Sequence, residues 1–343
     1  MTDAILQAGA QAWPPFVLVA GLLLIGAVVE ADGLFKAVGA RIEGIAGGPV
    51  VLLATLLVLD AIVTALLNLD TAVVFVTPII IHAARQRRCD KRPFLYGALF
   101  MANGASLLLP GSNLTNLIVL AHEHLSGAAF ARAMVLPWLV VVVLTIAFLS
   151  LIYRPQRVAG TPEPLPPLRL GLAAPATVAA TVLILVLHNA AMPVLAIGVA
   201  AVLARGLRPK LAVHVLAGLF VLAVALGTLA RRWDGPASLV AHLGGVWAAA
   251  LGAVSSVLIN NLPAAALLAA RRPPHPLPLL LGLNLGPNLA LTGSLSAYLW
   301  YQAARGVGAK PSLKQSSLLG LALVPLTLSG SLAALTLSDP GAF

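Results

Sequence analysis

Long apolar runs, separated by short charged or Pro/Gly-rich loops, form the pattern along this chain. About 20 apolar residues span a bilayer as a helix, so these runs predict membrane-spanning helices. The predicted spans lie near residues 13–30, 95–125, 132–153, 170–188, 190–205, 211–230, 276–304 and 317–337.

Two further apolar stretches, 49–84 and 243–270, each carry a polar island near the middle. The islands are Asn68-Leu69-Asp70-Thr71 and Asn260-Asn261-Leu262-Pro263. Each stretch is either two complete spans or a re-entrant hairpin. The central position of the polar residues favours a hairpin that turns at its island.

The spans 95–125 and 276–304 are predicted to be broken helices. Gly111-Ser112-Asn113-Leu114-Thr115-Asn116 interrupts the first, and Gly286-Pro287-Asn288 followed by Thr292-Gly293-Ser294 interrupts the second. A helix break in hydrocarbon is costly because the freed backbone groups find no water there. Matching breaks in two halves of a chain predict a binding site at the midplane of a transporter.

The same order of elements occurs twice. Residues 1–153 form a predicted first repeat, 154–210 a cytoplasmic linker with joining helices, and 211–343 a second repeat. The first hairpin opens inward and the second outward, so the repeats are inverted. The predicted fold is therefore an all-α polytopic membrane protein with two inverted-topology repeats, each containing a re-entrant hairpin and a broken transmembrane helix.

Composition excludes a soluble globular domain. The 343 residues are 60% hydrophobic and 9% charged, with a mean hydropathy of +0.99, whereas soluble proteins average about 25% charged residues. The single cysteine, Cys89, excludes an internal disulfide and a multi-thiolate metal cage. We therefore predict no metal site and no cofactor.

The net charge of +10 follows from topology rather than from nucleic-acid binding. If both hairpins enter and leave on one side, only five of the 21 Lys and Arg residues, Arg132, Arg231, Arg232, Arg271 and Arg272, lie on the outer face. The other sixteen make the opposite face cytoplasmic by the positive-inside rule. The chain is thus predicted in the inner membrane with both termini outside.

Two carboxylates in the first hairpin are candidates for proton coupling. Asp70 lies at the predicted tip, where burial in hydrocarbon favours the protonated form and makes a carboxylate a functional candidate by default. Asp70 could also cap the helix that begins beside it. Asp60 lies earlier in the same arm and could belong to a proton path or pair with a basic residue.

Amide and hydroxyl side chains supply the predicted substrate site. They lie at hairpin tips and helix breaks, where half-helix N-termini offer free N–H groups and a positive dipole end. Such a set could bind a neutral polyhydroxyl species, an anion or a cation. The candidates are Asn68, Thr71, Ser112, Asn113, Thr115, Asn116, Asn260, Asn261, Asn288, Thr292, Gly293 and Ser294. The broken spans also supply Asn284 and Ser296.

These motifs resemble the ion transporter superfamily, and within it the ArsB arsenite efflux family. The resemblance rests on five segments: residues 67–78, Ser106 to Asn116, Asn260 to Pro263, Asn284 to Leu289, and Thr292-Gly293-Ser294-Leu295 with Trp300 beyond it. It implies two inverted repeats and efflux of arsenite or antimonite in exchange for protons. It also implies that some members work with an ATPase subunit. Whether this chain forms a homodimer is left open.

Two other functions remain as alternatives. A Na⁺/H⁺ antiporter or a sodium-coupled carboxylate transporter would use the same scaffold, although no Lys or Arg lies near the islands to hold an organic dianion. A lipid-modifying enzyme would need clustered acidic or His residues, and only Glu123 with His122 and His124 approaches that pattern. We therefore expect a transporter for a small metalloid rather than an enzyme.

Overall fold

The computed structural model describes residues 2–33, 47–121, 123, 125–155, 171–187, 189–209, 213–233 and 235–343. Within these ranges all regular structure is helical, which confirms the predicted all-α class. The first half contains α1 Thr2–Ala31, α2 Pro49–Leu66, α3 Leu69–Gln86, α4 Lys91–Ala105, α5 Leu114–Leu120 and α6 Gly127–Tyr153.

Two helices follow before the second half of the described chain. These are α7 Ala173–Val186 and α8 Ala191–Ala204. The remaining helices are α9 Val213–Arg232, α10 Gly235–Ala241, α11 Gly245–Ile259, α12 Asn261–Leu268, α13 Pro276–Leu285, α14 Leu295–Gly306 and α15 Leu313–Ser338. Short 3₁₀ turns lie at Pro110–Ser112, Gly286–Leu289, Leu291–Gly293 and Pro340–Ala342.

The polar islands of the sequence are turns between helices. Helices α2 and α3 form a hairpin that turns at Leu67 and Asn68, and α11 and α12 are joined at Asn260. Asn260 has φ 74° and ψ 149°, a conformation that residues other than glycine rarely adopt and that costs about 1–3 kcal/mol. The turn between α11 and α12 is therefore strained.

Much of the protein surface is expected to face lipid. Four of the described helices, α1, α2, α6 and α15, are long and apolar enough to cross a membrane. Large apolar side chains such as Leu151, Leu258 and Leu337 are 74%, 75% and 77% exposed. Contiguous exposure of such residues is unfavourable in water and normal in a bilayer.

Helix α1 packs closely against α8 through glycine. A Cβ on Gly21 would lie 2.7 Å from the Leu195 backbone nitrogen, and one on Gly198 would lie 2.6 Å from the Gly21 carbonyl oxygen. At the end of α1, the buried Asp32 carboxylate accepts a hydrogen bond from Ala173 N at 3.0 Å and pairs with Arg205. Small residues and one ion pair thus join α1 to α7 and α8.

The broken helices lie at the centre of the described structure. Helix α4 is followed by the Pro110–Ser112 turn and α5, and α13 is followed by two 3₁₀ turns and α14. Helix α15 packs directly on the second break, because Gly320 lies against the Asn288 carbonyl. This contact holds the break beside the core.

Part of the predicted linker lies outside the described residues. Residues 156–170 belong to that part. Five of the basic residues that the sequence assigns to the cytoplasmic face also lie outside the described residues, namely Lys36, Arg41, Arg157, Arg169 and Lys210.

Adding one methyl group at Gly320 should destabilise the protein. The Cβ of Gly320→Ala would overlap the Asn288 carbonyl, so we expect a loss of about 1–3 kcal/mol from overpacking and a lower melting temperature in detergent. Gly218→Ala is the matched control, since nothing lies within 4 Å of its Cβ. A melting temperature of Gly320→Ala equal to that of Gly218→Ala would contradict the packing described.

Candidate functional site

Four helix N-termini meet at one cavity of ≈350 Å³. The first two residues of α3, α5, α12 and α14 all contribute to its wall. The wall consists of Leu69, Asp70, Asn113, Leu114, Thr115, Asn260, Asn261, Leu262, Leu291, Thr292, Ser294, Leu295, Ser296 and Tyr298. The cavity is thus built from both hairpin tips and both helix breaks.

A polar side chain caps each of the four helices. Asn68 Oδ1 accepts from Thr71 N at 2.7 Å, and Asn113 Oδ1 accepts from Thr115 N at 3.0 Å. In the second half Asn260 Oδ1 accepts from Leu262 N at 3.3 Å, and Ser294 Oγ accepts from Ala297 N at 3.2 Å. Each cap satisfies one first-turn N–H group and leaves others without an intrahelical partner.

Helix dipoles contribute positive charge at the cavity wall. The described residues that line it include no Lys, Arg or His. Each helix N-terminus carries a partial positive charge of roughly half an elementary charge, and four such ends face the same space. The Asp70 carboxylate, at the second position of α3, is the ionisable acid in the wall. The arrangement favours an anion.

An amide network centred on Asn284 holds the first break. Asn284 Oδ1 accepts from Ser106 Oγ at 3.0 Å and from Asn113 Nδ2, and its own Nδ2 donates to Asn116 Oδ1 at 2.8 Å. Asn116 Nδ2 in turn donates to the Ser106 carbonyl at 2.7 Å. The α13 side chain thereby fixes the cap of α5.

A second network, centred on Asn103, holds the second break. Asn103 Nδ2 donates to Asn288 Oδ1 at 2.8 Å. Its Oδ1 accepts from Ser294 Oγ at 3.2 Å and from Ser296 Oγ at 3.1 Å. Each break is therefore held by an asparagine from the unbroken half-helix of the other broken span.

The predicted binding residues divide into two groups. Six of them, Asn113, Thr115, Asn260, Asn261, Thr292 and Ser294, line the cavity together with Asp70. The structure does not bring the other six to the wall. Asn68, Thr71, Ser112, Asn116 and Asn288 are buried side chains behind it, and Gly293 lies in the second break.

The two predicted proton-coupling residues lie at different depths. Asp70 borders the cavity, whereas Asp60 is 1% exposed within α2. The described residues offer no ion-pair partner to Asp60. The basic partner that the sequence left open is therefore absent from the described part of the chain.

Two polar residues of the site are missing from the prediction. Tyr298 lines the wall, and Asn103 links the broken spans. Asn103 could have been found as an amide within the apolar run of α4. Of the two further polar residues that the sequence offers in the broken spans, Ser296 lines the wall and Asn284 holds the first break. The apolar wall residues carry no comparable signal, since leucine is abundant throughout the chain.

Two comparisons with known proteins each cover most of the chain. Residues 4–283 match the family model CitMHS, described as citrate transporter. The fold is similar to the crystal structure of the YdaH transporter of Alcanivorax borkumensis, reported to have an unusual topology, with a TM-score of 0.63 and 15% sequence identity. That match covers 97% of this chain and 86% of the YdaH chain.

Removing the Asn284 side chain should disturb the first break. Asn284→Ala removes the acceptor of Asn113 Nδ2 and the donor to Asn116 Oδ1, so we expect a loss of about 1–3 kcal/mol in unfolding free energy and of ligand binding. The control Gln302→Ala removes an exposed amide bonded to Tyr298 and should change stability by less than ~0.5 kcal/mol. Equal thermal stability of the two variants would refute the role of Asn284.

Proposed function

The chain belongs to the CitMHS citrate transporter family, and from this membership we propose that it is a secondary active transporter for a small anionic carboxylate. The substrate would bind in the cavity where the two hairpin tips and the two helix breaks meet. One observation carries this proposal, namely the convergence of four capped helix N-termini on one space.

Backbone groups can replace the basic side chains that a carboxylate would otherwise require. Free first-turn N–H groups donate to carboxylate oxygens, and the dipoles favour negative charge. Thr115 and Asn261 carry further polar groups in the wall, and the Thr115 hydroxyl has no hydrogen-bond partner among the described residues. A volume of ≈350 Å³ lies at the small end of ligand pockets, about 300–1,000 Å³, and suits a di- or tricarboxylate.

We assign Asp70 the role of coupling proton binding to substrate binding. Its carboxylate borders the same cavity as the proposed substrate, so two negative charges would repel one another there. Protonation of Asp70 removes this repulsion. Substrate would therefore bind together with a proton. When the substrate has left, Asp70 would release its proton.

Reciprocal contacts between the broken spans support alternating access by two inverted repeats. Asn284 holds the cap of α5, and Asn103 holds the cap of α14, as two related units packed about an approximate two-fold axis would do. We place the chain in the inner membrane with both termini outside, on the distribution of basic residues.

Arsenite or antimonite efflux is the second candidate. Its support is the uncharged polar wall of Asn, Ser and Thr side chains, which could hold neutral As(OH)₃ by hydrogen bonds alone. The cavity volume equals roughly ten water molecules, which is spacious for so small a molecule. The carboxylate therefore fits both the size and the electrostatics better.

A lipid-modifying enzyme has less support. Of the three residues that the sequence offered for that chemistry, His122 and His124 lie outside the described residues. Both Glu123 carboxylate oxygens accept hydrogen bonds from Arg272, at 3.0 and 2.9 Å. A carboxylate held in this way is poorly placed to bind a metal for phosphate chemistry.

Uptake of radiolabelled citrate into proteoliposomes tests the substrate. We expect accumulation above the equilibrium level when the proton gradient is imposed, and none with protein-free vesicles. Excess unlabelled citrate should compete, whereas arsenite should not. Proton-dependent transport of arsenite without citrate transport would instead favour the efflux function.

Asp70→Asn should change how citrate binding depends on pH. Charges a few ångströms apart interact by more than ~1.4 kcal/mol inside a protein, so the variant should bind citrate at least about tenfold more tightly than wild type at alkaline pH. At acidic pH, where Asp70 is protonated, the two should bind equally. Isothermal titration calorimetry measures both affinities, and parallel pH profiles would refute the role of Asp70.

A further inference from the structure

The first hairpin contains a row of buried polar atoms that lack hydrogen-bond partners. They are Asp60 Oδ2, Thr64 Oγ1, Asn68 Nδ2 and Thr71 Oγ1. All four residues are 1% exposed or less. A buried polar group without a partner costs about 1–3 kcal/mol, so four together require an explanation.

The row leads from Asp60 to the cavity. Asp60 and Thr64 are four residues apart in α2, so they lie on one face of the helix. Asn68 follows at the turn, and its Oδ1 bonds to Thr71 N at 2.7 Å. With a rise of 1.5 Å per residue, Asp60 lies about 12 Å below the tip. Asp70, next to Thr71, lines the cavity.

The second hairpin differs in this respect. Asn260 Nδ2 donates to the Thr292 carbonyl at 3.0 Å, and Ser256 Oγ donates to the Ala253 carbonyl at 2.8 Å. Among the described residues, buried unpartnered side-chain atoms occur in the first hairpin and not in the second. The unpartnered row is therefore a property of this sequence and not a general consequence of a hairpin.

The chemistry of Asn68 indicates what fills the row. Its Oδ1 is used in the cap, so its Nδ2 faces the row as a donor. A donor at this point repels a metal cation and needs an acceptor such as water. Towards the other end of α2, Leu53, Leu56 and Leu57 are fully buried. Leucines thus border the row beyond Asp60, and its other end lies beside Asp70 at the cavity wall.

No neighbouring charge neutralises Asp60 in the described part of the chain. Helices α3, α4 and α6 and the Pro110–Ser112 turn pack against α2. Arg85 donates to the Val307 carbonyl, Arg92 pairs with Asp90, His82 contacts Gln86, Tyr96 donates to Gln315, and Gln315 donates to Tyr153. The other ionisable groups on these elements are Asp70 in the cavity wall, Lys91 at the start of α4 and the exposed Arg132.

We propose that Asp60, Thr64, Asn68 and Thr71 hold a chain of water molecules through which Asp60 takes up and releases a proton from the substrate cavity. This inference rests on the proposed transport function and extends it. A proton that enters from the cavity is relayed along the row, each water molecule accepting one proton and donating another, until the Asp60 carboxylate becomes a neutral acid; release reverses these transfers and returns the proton to the cavity. Proton and substrate then share one access route, which ties their movements together.

Infrared spectroscopy of the reconstituted protein tests this proposal without any substrate. On a change from acidic to alkaline pH, wild type should lose the carbonyl stretch of a buried carboxylic acid. The isosteric Asp60→Asn should lack the part of this band that comes from Asp60, keep the part that comes from Asp70, and retain the wild-type melting temperature. A pH-dependent band of full size in Asp60→Asn, or no such band in wild type, would overturn the proposal.

A second variant tests the path. Thr64→Val removes one hydroxyl from the row, and after a rapid pH jump the Asp60 band should change about five- to tenfold more slowly. Thr55→Val is the matched control on α2, because the Thr55 hydroxyl bonds to the Val51 carbonyl away from the row. Equal rates for wild type and both threonine variants would refute the water chain.

A transport assay connects the infrared result on Asp60 to function. Asp60→Asn should accumulate less citrate than wild type under a proton gradient, because Asp70 alone still couples a proton, and should keep exchange of labelled for unlabelled citrate. Wild-type accumulation in this variant would overturn the proposed coupling. If wild type itself moves no citrate, the proposed substrate fails, while the infrared result still decides whether Asp60 exchanges protons.

Discussion

Backbone groups freed by a helix break must find partners inside the membrane, and the rest of this site depends on how that requirement is met. Two spans are broken and two hairpins turn within one protein. Side-chain amides supply the partners because each has both a donor and an acceptor. Asn284 and Asn103 each bridge to the break of the other span. The breaks are stabilised mutually, so neither half of the site would persist alone.

The same arrangement creates the electrostatics. Caps and amides satisfy part of each break, and the first two residues of α3, α5, α12 and α14 line one cavity. Positive potential therefore arises from backbone geometry, which a count of Lys and Arg does not register. Gly320 and the closely packed α15 hold the second break in place, which connects helix packing far from the cavity to the ligand site.

Much of this architecture is predictable from sequence, because asparagines in apolar runs mark hairpin tips and breaks. Asn68, Asn113 and Asn260 prove to be helix caps. Pairings across more than 170 positions, such as Asn103 with Asn288, depend on the topology and have no local signal. The absence of basic residues near the islands counted against a carboxylate, but converging helix ends supply the positive potential instead. The family match names citrate, whereas the local motifs favoured arsenite. The polar residues at the hairpin tips are therefore a better guide to the fold than to the substrate.

A structure determined with saturating citrate would test the proposed site most directly. We expect citrate density in the cavity beside Asp70, with carboxylate oxygens about 2.7–3.2 Å from backbone N–H groups of the four helix N-termini. Density for citrate elsewhere, or an unchanged cavity at saturating citrate, would contradict the proposal that converging helix ends bind an anionic substrate.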